Sequence, residues 1–165
     1  MLHDVGKLGI RDKILLKPGK LTDDEFTVMK THVEHGLGIT GRARWLKDAQ
    51  AVVGGHHEKF DGSGYPAGLT GTAIPITARI FAITDVFDAL TSRRPYKEPL
   101  SFDETMQILD SGRGNHFDPE LLDAFCEIAQ GLYDTYSGRD DSKPKERLES
   151  MTEEYFKRNV ADLLN

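Results

Sequence analysis

Three helix-start signals set the class of this chain. Thr22-Asp23-Asp24-Glu25 and Ser101-Phe102-Asp103-Glu104 each place a hydroxyl three residues before a glutamate. In that arrangement each side chain satisfies a backbone N–H belonging to the other residue at a helix N-terminus. Asp118-Pro119-Glu120 supplies the third start, with an N-cap carboxylate, a proline at the first helical position and an acidic first turn. Apolar residues then recur at three- and four-residue steps: Phe26, Met29, Val33 and Leu37; Trp45, Leu46, Ala49, Val52 and Val53; Ile76, Ile80, Ile83, Phe87 and Leu90; Leu122, Phe125, Ala129 and Leu132. These spacings predict buried helical stripes, and no stretch of useful length alternates with period two, so the expected fold is all-α.

The polar run from Gly138 to Pro144 punctuates the pattern, which divides the chain into a compact domain at 1–137, a linker at 138–144 and a final segment at 145–165. That segment carries Leu148, Met151, Tyr155, Phe156, Val160, Leu163 and Leu164, the pattern of an amphipathic helix that folds back or meets a partner, a second copy included. No eighteen-residue apolar run and no signal peptide is visible, so no membrane span is expected. The single Cys126 excludes an internal disulfide, fits the cytoplasm and lies in an apolar pattern that predicts burial. A formal charge of −6 argues against general nucleic-acid binding. The basic residues nevertheless cluster, in Lys7, Arg11, Lys13, Lys17 and Lys20 and again in Arg93, Arg94 and Lys97, which suits a small ligand bearing phosphate.

Chemistry concentrates in His56-His57-Glu58-Lys59-Phe60-Asp61-Gly62-Ser63-Gly64-Tyr65-Pro66. Adjacent histidines on a regular helix point about 100° apart, so a pair serving one metal needs an irregular backbone, which the flanking glycines allow, or a second metal within reach. Alone, the pair reads equally as a solvated loop, and His32 beside its apolar stripe as a satisfied core histidine. Together, His3, Asp4, His32, His56, His57 and Asp85 offer four imidazoles, two carboxylates and no thiolate, a set suited to iron, manganese, zinc or nickel. It exceeds what one tetrahedral site needs, which makes two metals the economical reading. Two closely spaced cations lower the pKa of water and neutralise charge on a phosphodiester, so the reaction expected is phosphate-ester hydrolysis.

Around this set, Lys7 is placed to reach a phosphate or assist the leaving oxygen, while Glu58 and Asp61 are placed to orient ligand imidazoles. Asp85 and Asp88 fall in an almost wholly apolar run, which predicts buried carboxylates needing a metal for one and Arg93 or Arg94 for the other. His35 is spaced to join His32 or to serve packing, and His116 reads as a capping or packing residue.

His3-Asp4 with Gly6-Lys7, His32 with Gly36, His56-His57-Glu58 running into Asp61-Gly62-Ser63-Gly64-Tyr65-Pro66, and Asp85-Val86-Phe87-Asp88-Ala89-Leu90 resemble the HD-GYP family over roughly residues 1–130. The resemblance implies a helical bundle of the HD superfamily that hydrolyses cyclic di-GMP to the linear dinucleotide and on to GMP. It implies that His3, Asp4, His32, His56, His57 and Asp85 hold two or three iron or manganese ions, with Asp4 bridging and Lys7 acting at the scissile phosphate. It further implies that Arg94 and Lys97 grip phosphates and that Gly64, Tyr65 and Pro66 border the substrate and a signalling partner. Family members carry further helices before the His-Asp motif, and the expectation here is a bundle lacking its first helices. Two other readings follow from that expectation: a catalytically weak module that binds cyclic di-GMP or a partner, and a phosphohydrolase for another nucleotide.

Overall fold

The computed structural model describes residues 2–93 and 98–138. Over them the protein is all-α, with α1 (Asp12–Leu15), α2 (Asp23–Lys30), α3 (His32–Thr40), α4 (Gln50–Gly55), α5 (Ile76–Thr91), α6 (Phe102–Ser111) and α7 (Pro119–Tyr136). Short 3-10 helices span Leu2–Gly9, Arg44–Ala49 and Gly71–Ala73. Among the described residues there is no strand, and no helix is long and apolar enough to cross a membrane. Arg94, Lys97, most of the linker and the helix expected at 145–165 lie outside the described residues.

All three helix starts form as the sequence predicts. Thr22 Oγ1 accepts the Glu25 amide at 3.3 Å while Glu25 accepts the Thr22 amide at 2.8 Å, and Ser101 and Glu104 repeat the exchange at 3.3 and 3.0 Å. Asp118 caps α7 through the amides of Glu120 and Leu121, and its second oxygen pairs with Arg79 of α5. That pair ties the start of α7 to α5, over a core of Ala82, Ile83, Phe87, Leu109, Leu122, Phe125 and Ala129 from α5, α6 and α7 with Phe117 of the α6–α7 connection. Each large member buried this fully contributes about 1.5–3 kcal/mol.

The other half of the molecule positions the site. The 3-10 helix Leu2–Gly9 packs on α3, and α4 lies between α3 and α5. Gly6 makes this approach possible, since a Cβ at that position would sit 1.8 Å from the His32 carbonyl oxygen. Val33, Val53, Ile74 and Ala78 fill the seam.

Several stripes turn out differently. The helix expected from Thr22 through Leu37 breaks at Thr31, and α2 buries none of its residues, leaving Phe26 46% exposed. Trp45, Ile76 and Ile80 also face solvent. The buried face of α5 is instead Ala78, Ala82, Ile83, Phe87 and Thr91, because α4 comes so close that a Cβ on Gly55 would lie 2.9 Å from that of Ala78. Small residues take the side packed on α4, and Ile76 and Ile80 rotate outward while Ile83 stays buried. Cys126 is exposed, contrary to expectation, because the buried face of α7 runs through Leu122, Phe125 and Ala129 and position 126 falls beside it. Asp85 and Asp88 are exposed, not buried in the apolar run, since α5 turns that face toward an open cavity.

Candidate metal centre

Four of the six expected ligands converge. One ligand atom each from Asp4, His32, His56 and His57 lies within 4.8 Å of all the others. Asp4 comes from the 3-10 helix Leu2–Gly9, His32 opens α3, and the histidine pair follows the last residue of α4, in the turn that ends the helix. Both imidazoles of the adjacent pair reach the one centre from that turn. His56 Nε2 is 3.5 Å from His32 Nε2, and Asp4 Oδ1 lies 3.6 Å from the first histidine's partner, His32, and 3.9 Å from His56.

The backbone fixes these rings. His32 Nδ1 lies 2.7 Å from the Met29 carbonyl and His56 Nδ1 lies 3.0 Å from that of Val53, so each ring donates its Nδ1 proton to a carbonyl. Both Nε2 atoms then carry lone pairs, and these face each other across 3.5 Å. A cation between them satisfies both, and the Asp4 carboxylate beside the two rings offsets its charge. The donor set therefore fits a divalent metal by geometry as well as by composition.

Electrostatics agree. Burial, then the neighbouring His56 and His32, pushes His57 down to about 3. Burial likewise lowers His56 and His3, so the imidazoles are neutral, the state that binds metal. Burial works to raise the Asp4 carboxyl, but Lys7, bonded to Oδ2 at 2.7 Å, outweighs it and holds the group below the ordinary carboxylate range.

His3 and Asp85 stand one step out. His3 Nε2 lies 3.3 Å from Asp4 Oδ2, and its ring packs on Phe81 with centroids 4.7 Å apart. His3, Asp4, Lys7, His56, His57 and Asp85, joined by Asp88 and Ala89, line one cavity of about 430 Å³, behind which His32 is buried. Asp88 accepts from Ser92 at 3.0 Å, and Arg93 pairs with Glu98 at 3.3 Å and not with either aspartate. His35 does not join His32; it is exposed and lies against Gly9.

The glycine-rich loop is stapled to the centre by a carboxylate given a different role in the sequence. Glu58 is only 2% exposed and accepts the amides of Ala67 and Leu69 at 2.8 and 3.0 Å. It therefore holds the loop and orients no imidazole; Asp61 caps the Ser63 amide at 2.8 Å. His116 packs, as expected, stacking on Phe117 and accepting the Phe60 amide. Gly64 passes so close to the chain that a Cβ would lie 2.3 Å from the Lys59 nitrogen. This brings Tyr65 onto His57, ring centroids 4.6 Å apart, while Pro66 is exposed. Burial, then Asp4, pushes the Tyr65 hydroxyl up to about 12, so it stays protonated. Phe26 and Lys30 of α2 complete the wall beside Tyr65, and no sequence signal had marked either for the site.

An HD domain family model matches residues 1–121. The chain is 51% identical over 141 residues to a probable cyclic di-GMP phosphodiesterase of Vibrio cholerae, an alignment covering 81% of this chain and 32% of that protein. It is 50% identical over 146 residues to the cyclic di-GMP phosphodiesterase response regulator RpfG of Xanthomonas campestris, covering 84% and 39%. It is 48% identical over 128 residues to the 3'3'-cGAMP-specific phosphodiesterase 2 of Vibrio cholerae, covering 76% and 24%. The chain thus spans about a third of the length of these curated relatives. With its His/Asp cluster assembled in the order the motifs occur, the chain belongs to the HD domain family, in its HD-GYP branch.

Proposed function

We propose that residues 1–137 form a metal-dependent phosphodiesterase unit that hydrolyses cyclic di-GMP to linear pGpG and on to GMP, in cytoplasmic second-messenger signalling. The observation that carries this is the convergence of Asp4, His32, His56 and His57, with two histidine Nε2 lone pairs directed at each other and both Nδ1 protons already committed. His3, Asp4, His32, His56, His57 and Asp85 would hold two or three ions, iron or manganese by the hard and borderline character of the donors. Bound there, such ions supply Lewis-acid neutralisation of phosphate charge and lower the pKa of water.

The chain's own residues supply the rest. Lys7 sits in the cavity with its ammonium on Asp4 and would meet a phosphate oxygen as charge builds there; water adds to phosphorus as the P–O bond to the ribose breaks, and the proton that the water gives up passes to the leaving ribose oxygen. Tyr65, kept protonated, borders the phosphate with a donor and not a competing anion. Gly64 and Pro66 shape that border. Arg94 and Lys97, outside the described residues, are assigned phosphate contacts on the motif alone. The Gly-Tyr-Pro loop is the surface assigned to a signalling partner, and 145–165, beyond a linker at 138–144, is assigned to docking or homodimerisation.

A second reading, hydrolysis of 3'3'-cGAMP, is favoured by the 48% identity to an enzyme of that name. A panel of cyclic di-GMP, 3'3'-cGAMP and a cyclic mononucleotide, incubated with the manganese-loaded chain and resolved by chromatography, separates the two. Fastest loss of cyclic di-GMP supports the first reading, and fastest loss of 3'3'-cGAMP replaces it with the second. Binding without turnover of any member would reduce the unit to a ligand-binding module.

A further inference from the structure

An aromatic residue on a helix that buries nothing needs a reason to be there, and α2 is such a helix. Phe26 leaves 46% of its surface open and stands edge-on to Tyr65, with centroids 6.1 Å apart and 85° between planes. Tyr65 in turn stacks on His57 of the cluster. One turn after Phe26, Lys30 places its ammonium 5.4 Å from the Phe26 ring centroid and 6.0 Å from that of Tyr65. His57, Tyr65 and Phe26 thus form a staircase of rings that leads outward from the candidate metal centre and ends on a half-exposed ring with a cation over it.

We infer that Phe26 and Lys30 form the subsite for one purine base of the substrate, Phe26 as stacking shelf and Lys30 as donor to the acceptor edge of guanine. A nucleotide whose phosphate lies in the cavity at His57 carries its base a ribose away, and the staircase extends over the same scale, two ring-to-ring steps of 4.6 and 6.1 Å. Any base offers a π-face to an aromatic ring, and an ammonium complements the O6 and N7 acceptors of guanine. The inference rests on the reading of the centre as a nucleotide phosphodiesterase and adds the group that recognises the base.

The test is calorimetric titration of the manganese-loaded chain with GMP and, separately, with inorganic phosphate. Phe26→Ala is expected to weaken GMP roughly five- to 150-fold while leaving phosphate affinity and metal content unchanged, and Phe26→Trp to retain GMP affinity. Because nearly half of the residue is exposed and α2 buries none of its residues, the helix tolerates both changes. Equal weakening of GMP and phosphate would mean that Phe26 merely positions Tyr65 and His57, and would overturn the subsite. Unchanged GMP affinity in Phe26→Ala, or wild-type GMP binding no tighter than phosphate, overturns it as well. Turnover is measured apart: GMP binding that depends on Phe26 without hydrolysis of any cyclic dinucleotide contradicts the proposed reaction and leaves the subsite standing.

Discussion

Tyr65 stacks on His57, ring centroids 4.6 Å apart and planes 27° apart, and its amide donates to the His57 carbonyl at 3.1 Å. The loop that follows the histidine pair therefore folds back onto the second of the two, so loop order and ring orientation depend on each other. Glu58 is the positioning residue between them, through the Ala67 and Leu69 amides.

Glu58→Gln tests this coupling. The amide keeps one acceptor but sets an NH₂ against a backbone N–H, leaving a buried donor unmatched at a cost of about 1–3 kcal/mol. The expected outcome is a lower melting temperature together with metal affinity weakened roughly tenfold, because the loop that Glu58 holds carries Tyr65 against His57. Affinity unchanged in a destabilised protein would confine Glu58 to stability.

Gly6→Ala addresses the helix approach. With a Cβ 1.8 Å from the His32 carbonyl oxygen, the 3-10 helix Leu2–Gly9 must lift from α3 and carry Asp4 away from His32. A loss of about 3 kcal/mol or more in unfolding free energy is expected, with loss of metal binding, by denaturant titration and metal analysis. Near wild-type stability would contradict the packing.

The apo protein should weaken in acid. The folded His57 titrates at about 3 against an ordinary 6.5, so the unfolded chain takes up the proton first as pH falls. The associated stability is complete above about 6.5 and drains away as pH drops toward 3. His3 and His56 shift in the same direction. Metal-free protein scanned by calorimetry is expected to melt several degrees lower at about pH 5 than at about pH 7.5. A flat or rising profile would mean that the cluster is open to solvent.

Much of this was legible from residue order. Helix starts read directly, because a capping box is a local exchange of hydrogen bonds that needs no tertiary contact, as Thr22 and Ser101 illustrate. Motif order named six candidate ligands, of which tertiary packing brings Asp4, His32, His56 and His57 together. The side chains that failed to match are those whose environment depends on a neighbouring helix. Ile76 and Ile80 lost the buried face of α5 to Ala78 and Ala82 because Gly55 approaches so closely, a fact about the α4–α5 distance that periodicity does not contain. Glu58 looked like a partner for an imidazole from its adjacency, whereas the loop's return path decided its role. Phe26 read as core because a helix was expected to run unbroken through Thr31.

His57→Ala separates a metal-binding role from a structural one for this partly buried imidazole. Metal content is expected to fall by at least one equivalent with the helical signal intact, and full metal occupancy in that variant would remove His57 from the ligand set.

The central claim is that the Asp4 cluster binds metal and that hydrolysis depends on it. The most direct measurement is anaerobic loading of the chain with iron or manganese, metal analysis of the desalted protein, and chromatography of its products from cyclic di-GMP, run beside Asp4→Ala. The account predicts at least two metal equivalents and formation of pGpG or GMP, with both lost in Asp4→Ala. Hydrolysis that persists in Asp4→Ala, or a wild-type chain that retains no metal, would contradict it.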